Sequence, residues 1–176
     1  MLLLLLDGAD VLAGDAVDVR VTHEHGTYRI RAALLVDAPA DAVLRQLTDY
    51  ANLTALNPSI RKSILLPAPP PHDARVATVV EACVQVLCRT LTRVEDVTKG
   101  PRRLVAVIVP ALSDFRRGRA EWSIRPRGQW TDVRYSAELE PDFVVPPVLG
   151  PALIKGAMER EIRTLLRNLE RRAADA

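Results

Sequence analysis

The stretch that decides the fold is Ala152–Arg172, ALIKGAMEREIRTLLRNLERR. Ile154, Met158, Ile162, Leu165, Leu166 and Leu169 fall on one stripe, and Arg160, Arg163, Arg167 and Arg171 cover another. This is the pattern of an amphipathic helix whose apolar side must be buried. At about 1.5 Å per residue it reaches roughly 30 Å, enough to cross a small sheet. Pro146, Pro147 and Pro151 precede it. A coiled coil would also bury such a stripe, but the run is too short to favour one.

Working outward from the helix, the rest of the chain reads mainly as β-structure. Val17–His23 and Thr27–Val36 are two strands joined at Glu24-His25-Gly26, a hairpin signal. In the second, Tyr28, Ile30, Ala32, Leu34 and Val36 share a face, with Arg29 and Arg31 on the other. The period then changes. Pro39, Asp41, Val43, Leu44 and Leu47 predict a short helix, and Asp49–Leu56 a second helical piece ended near Pro58. A meander follows, with candidate strands Ile60–Leu66, Arg75–Ala82, Val84–Val94, Leu104–Val109, Asp114–Arg125 and Thr131–Leu139. Asp96–Arg102 and Arg125–Gln129 supply turns. In the last strand Asp132, Arg134, Ser136 and Glu138 should face water.

The elements add up to an α+β layer architecture: a curved antiparallel sheet of about seven strands around a long C-terminal helix, with two short helices after the first strands. A straight helix on a curled sheet cannot touch it everywhere, so a cavity is expected between them. The 176 residues, 48% of them hydrophobic, suit one globular domain. Residues 17–176 are read as that domain, and residues 1–16 as an extension or signal remnant. Met1–Leu6 lacks a basic start and is cut short by Asp7 and Asp10; as written it is neither export signal nor membrane span.

The net charge of +2 creates no global field for nucleic acid, and no nucleic-acid partner is expected. Residues 101–127 concentrate Arg102, Arg103, Arg116, Arg117, Arg119, Arg125 and Arg127 against Asp114 and Glu121. That stretch is either a solvated strand face or a surface for an anionic partner. Cys83 and Cys88, on one strand, would point to opposite faces roughly 16 Å apart. A disulfide needs Cα atoms within about 7 Å, so pairing requires a bulge, a turn or a second molecule. Otherwise the two are small buried hydrophobes.

The order of motifs resembles the START-like superfamily, also called SRPBCC, which includes polyketide cyclases, lipid-transfer domains and coenzyme Q-binding proteins. Leu35-Val36-Asp37-Ala38-Pro39-Ala40-Asp41-Ala42-Val43 followed by Leu47-Thr48-Asp49-Tyr50 is similar to that family's first-strand exit and first helix. Asn57-Pro58-Ser59-Ile60-Arg61-Lys62-Ser63 looks like its next strand. Ser113-Asp114-Phe115-Arg116 with Gly118 and Trp122, then Thr131-Asp132-Val133-Arg134-Tyr135, resembles its late strands. Glu140-Pro141-Asp142-Phe143, Pro146-Pro147 and Leu149-Gly150-Pro151 look like its lead into the gripping helix. The resemblance spans about residues 27 to 172. It implies a helix-grip fold and a bound lipid, quinone or polyketide-like molecule, without implying catalysis. Members of the closest subgroup often look like bacterial proteins with an export signal. The expected location is therefore cytoplasmic for the sequence as written and periplasmic if Met1–Leu6 is a signal remnant.

Candidate ligand-lining residues are Tyr50, Leu56, Trp122, Tyr135, Phe143, Leu149, Leu153 and Met158. The apolar, proline-punctuated stretch from Pro141 to Leu153 is expected at the cavity mouth. If the chain is an enzyme, Asp114, Arg116 and Tyr135 are the candidates for acid–base work and carbonyl polarisation. This assumes that Asp114, Arg116 and Trp122 keep one strand parity. The competing reading makes Arg116 a structural ion pair. His23 and His25 share a strand face, but nothing accompanies them in a metal-binding pattern, so a solvated hairpin end is preferred and no metal is expected. No phosphate loop, dinucleotide fingerprint or nucleophile elbow is present, and no cofactor is expected. Three functions remain: a carrier of a hydrophobic small molecule, a cyclase or dehydratase, and a module that meets an anionic membrane through the basic face of the last helix.

Overall fold

The computed structural model describes residues 17–145 and 150–176. Met1–Leu6 and Leu149 lie outside the described residues. Eight antiparallel strands form one sheet: β1 (Asp18–Glu24), β2 (Thr27–Val36), β3 (Ile60–Leu66), β4 (Ala74–Val84), β5 (Leu87–Gly100), β6 (Arg103–Ile108), β7 (Phe115–Arg127) and β8 (Trp130–Pro141). Their order is β1-β2-β8-β7-β6-β5-β4-β3. Strands β3 to β8 are a continuous meander, and the first hairpin joins its far edge through β2 and β8. Between β2 and β3 the chain must therefore cross the sheet. Helix α1 (Ala40–Thr48) and a 3-10 segment, Tyr50–Ala55, make that crossing. The C-terminal helix α2 runs over Pro151–Ala174.

Local chemistry explains the turns. His25 and Gly26 both have positive φ, 48° and 79°, as a two-residue hairpin requires. In β8 the alternation holds: Val133, Tyr135 and Ala137 are buried, and Arg134, Ser136 and Glu138 are exposed. Across the sheet the inward set continues through Ala120, Trp122 and Ile124 to Leu104 and Ala106, which register with Trp122 and Ala120. Gly118 occupies the same row. A Cβ there would lie 2.6 Å from Ile108 Cγ1 and 2.8 Å from Leu139 Cδ2, so glycine allows the neighbouring side chains to close over the strand.

Strand β5 runs well past the expected end at Val94. Asp96–Arg102 reads as a turn in sequence, but β5 continues to Gly100 and the ladder sets Asp96 opposite Arg75. Asp96 is buried on the face away from the cavity and accepts two hydrogen bonds from Arg75, at 2.6 and 2.8 Å. Those bonds hold its carboxyl below the usual carboxylate range. Glu95, on the inward side, lies 3.1 Å from Arg93.

The two cysteines correct the reading of a single strand with buried thiols. A turn at Gln85-Val86 folds that segment into a hairpin and sets Cys83 opposite Cys88. Their Cα atoms are 4.1 Å apart, the spacing of a non-hydrogen-bonded cross-strand pair, and they form a disulfide. Both are exposed. The turn has no Gly, Asn or Pro to announce it. Gln85 takes the positive φ, 55°.

The solid part of the core lies where α2 meets β1, β2 and α1. Leu166 and Leu169 are fully buried there with Val43, Val36, Val133 and Ile124. Burial of each leucine contributes about 2 kcal/mol. Polar groups fix this end of the helix in place. Asn168 donates to the Leu56 carbonyl at 2.9 Å, Arg163 to the Val17 carbonyl at 2.6 Å and Arg172 to Gln46 at 3.0 Å. The basic stripe of α2 is thus partly engaged in holding the fold.

Candidate ligand-binding site

Between the first half of α2 and the concave sheet lies a cavity of about 660 Å³. Its roof is Ile154, Ala157, Met158, Ile162 and Leu165. The 3-10 segment and its exit close one end with Tyr50, Leu53 and Leu56. Small side chains on the facing strands, Ala106 and Ala120, keep the floor low. Trp122 and Tyr135 lie side by side on that floor, with ring centroids 4.4 Å apart.

Polar side chains interrupt the apolar lining at Asn57, Ser59, Glu81, Arg89 and Glu161, and at a pair on β5. Arg93 and Glu95 point inward from β5, with side chains 25% and 12% exposed. Arg93 Nε is buried and lies 3.1 Å from Glu95 Oε2, yet no acceptor lies along its N–H. The pair is close without being aligned, so one charged donor is left for another oxygen. Burial pushes the Tyr135 hydroxyl up to about 12, with Arg93 opposing the shift and Glu95 adding to it. At neutral pH Tyr135 is therefore a proton donor rather than a base. Burial also raises Tyr50, with Asp73 adding to the effect.

The mouth is framed by the β4–β5 hairpin tip and the segment after β8. Phe143 meets Phe115 edge-on at 6.4 Å. The Arg89 guanidinium sits 4.2 Å over the Phe143 ring. Val144 is 85% exposed and Leu87 49% exposed, so the rim presents apolar side chains to solvent.

Of the candidate ligand-lining residues, Tyr50, Leu56, Trp122, Tyr135, Phe143 and Met158 line this cavity. Leu153 does not; it is 39% exposed, because the first turn of α2 starts outside the mouth. Tyr135 is the one member of the candidate catalytic set that faces the cavity. A β-bulge between Phe115 and Arg117 inserts Arg116 as an extra residue and reverses the parity on which the set depended. Phe115 turns inward in its place. Arg116 lies in solvent, 65% exposed, paired with Glu140 and Asp142 at 3.4 and 3.1 Å. Asp114 is spent on the backbone, where its carboxylate accepts from the Thr92 N–H at 2.6 Å. Of the arginines in residues 101–127, Arg102, Arg103, Arg116, Arg117 and Arg119 are ion-paired.

Arg93 and Glu95 were absent from the candidates, although their signal is visible in sequence. Leu91, Arg93, Glu95 and Val97 are alternate residues, two charges between two apolar positions of one strand face. His23 stacks on Tyr28, with centroids 4.4 Å apart, and His25 occupies the turn. Glu81, Cys83 and Cys88 bring ligand-type atoms within 4.8 Å of one another, but the sulfurs are bonded together and Glu81 pairs with Arg61. That group offers no thiolate.

Known structures share this fold. The START superfamily protein from Mycobacterium smegmatis is 20% identical with a TM-score of 0.66, over 84% of this chain and 97% of that one. The STAR-related lipid transfer protein from Xanthomonas axonopodis is 17% identical with a TM-score of 0.66, over 89% and 98%. The Zhui aromatase/cyclase from Streptomyces sp. R1128 is 16% identical with a TM-score of 0.59, over 85% and 93%. At these identities the likeness establishes the helix-grip fold. No curated protein sequence matches the chain. Residues 27–174 match the family described as polyketide cyclase / dehydrase and lipid transport, and the chain belongs to that family.

Proposed function

We propose that the protein binds and carries a hydrophobic small molecule of the lipid, quinone or polyketide-like class, in the cavity between the sheet and α2. The observation that carries this reading is a mainly apolar space of about 660 Å³ with the Arg93–Glu95 pair on its wall. Such a space suits a ligand with an extended apolar body and one oxygen-bearing end. The apolar body would lie under Met158 and Ile162, and the oxygen would take the open Arg93 donor. A fluorescent lipophilic probe, N-phenyl-1-naphthylamine, should bind at one site per chain and be displaced by long-chain fatty acids. Absence of saturable binding would reject the carrier reading.

A second reading is a cyclase or dehydratase. The Arg93–Glu95–Tyr135 group favours it: a cation to polarise a carbonyl, a carboxylate to accept a proton and a neutral phenol to donate one. It replaces the version that relied on Arg116. Turnover of a poly-β-keto thioester that is lost in both Arg93→Met and Tyr135→Phe would support it. Turnover unaffected by either change would reject it.

A further inference from the structure

The Cys83–Cys88 disulfide is placed where the core contributes little. Cys83 and residues 85–90 are all exposed. The turn is a poor one: Gln85 holds a left-handed φ of 55°, and the β-branched Val86 is 92% exposed. A two-stranded tip without a hydrophobic face beneath it is marginal by itself. The covalent link is therefore what holds this tip in register. The tip also reaches the cavity mouth. Arg89, next to Cys88, stacks on Phe143, which belongs to the segment leading into α2. Leu87 and Val84 line the opening beside it.

We propose that this disulfide is a redox-addressable latch on the cavity mouth, opened by exchange with a dithiol reductant. A thiolate of the dithiol attacks one exposed sulfur, and the other cysteine leaves as a thiolate that takes a proton. The second thiol of the reductant then attacks the mixed disulfide and forms its own S–S bond. Two electrons and two protons pass to the protein, giving two cysteine thiols and an oxidised dithiol. The freed tip loses its register, the Arg89–Phe143 contact opens and the ligand leaves faster. Exchange with an oxidised dithiol closes the latch again. The effect on ligand release rests on the carrier reading; the opening of the mouth does not.

The test uses the full chain, oxidised or treated with millimolar dithiothreitol, with the state of the bridge verified by mass. Hydrogen–deuterium exchange should rise on reduction at residues 83–90 and at residues 142–145, with the rest of the sheet unchanged. Release of N-phenyl-1-naphthylamine should quicken about three-fold, the rate equivalent of losing one cation–π contact. The Cys83→Ser/Cys88→Ser double variant should release at the faster rate with or without dithiothreitol. Unchanged exchange at residues 142–145 after verified reduction overturns the latch. So does a bridge that resists the dithiol in the folded state, or unfolding of the whole sheet on reduction. A protein that never binds the probe defeats the carrier reading, while the exchange data still decide the latch.

Discussion

The two halves of α2 carry one apolar stripe over one sheet, yet one half fills its space and the other roofs a void. In the second half Leu166 and Leu169 are fully buried and Ala173 is 2% exposed. In the first half Ile154 and Met158 are only partly buried and face the cavity. Both halves are apolar, so hydrophobicity is not what separates them. The difference lies in what they meet. The second half is clamped between β1 and α1, with three side-chain hydrogen bonds tying it down. The first half spans the hollow of the curved sheet, where Ala106 and Ala120 stand opposite. Curvature and small side chains make the cavity.

The largest expected effect breaks this comparison if it fails. Leu169→Ala should cost about 3 kcal/mol in urea unfolding, because it opens a void in a filled core. Met158→Ala should cost less than about 1 kcal/mol, since that side chain already borders empty space. Equal losses would mean that the two halves pack alike.

A second change, read with two ligands, sharpens the polar end of the cavity. Arg93→Met should weaken binding of a fatty acid about ten-fold, the scale of one lost charge-assisted hydrogen bond. Affinity for the uncharged N-phenyl-1-naphthylamine should stay the same. Calorimetric titration with the two ligands checks this.

Tyr135 gives a pH signature confined to the hollow half. Its folded value, about 12, lies above the ordinary tyrosine value of 10.0. The neutral phenol is favoured in the fold, so its contribution to stability is complete below pH 10 and is lost as pH rises through about 12. Denaturant midpoints across that window should fall more steeply for the native protein than for Tyr135→Phe. The smallest effect is expected at the solvent-facing bulge of β7, where Arg116→Ala should change stability by no more than about 0.5 kcal/mol and leave fatty-acid binding unaltered.

The helix, the first hairpin and the late strands were legible because periodicity records which face is buried. The Ile154–Leu169 stripe and the Val133–Leu139 alternation each state a burial pattern that the fold then obeys. Asp114 and Arg116 are turned away from the cavity by a single residue. Parity counting carries no information about a bulge, and the extra residue at Arg116 reversed everything before it. The disulfide was hidden for a related reason: a turn built on Gln85 and Val86 has no compositional mark, so one strand was read where there are two. Arg93 and Glu95 were hidden by convention rather than by chemistry, since charge on a strand is usually assigned to water.

The central claim is that the hollow half of α2 covers a space built for a hydrophobic molecule. Mass spectrometry of the organic extract from natively purified protein tests it most directly, compared with Ala106→Leu, which fills the floor without touching the packed half. The predicted result is one class of lipophilic compound, stoichiometric with the native chain and depleted from the equally stable variant. A clean extract from native protein that also fails to bind N-phenyl-1-naphthylamine would contradict the account.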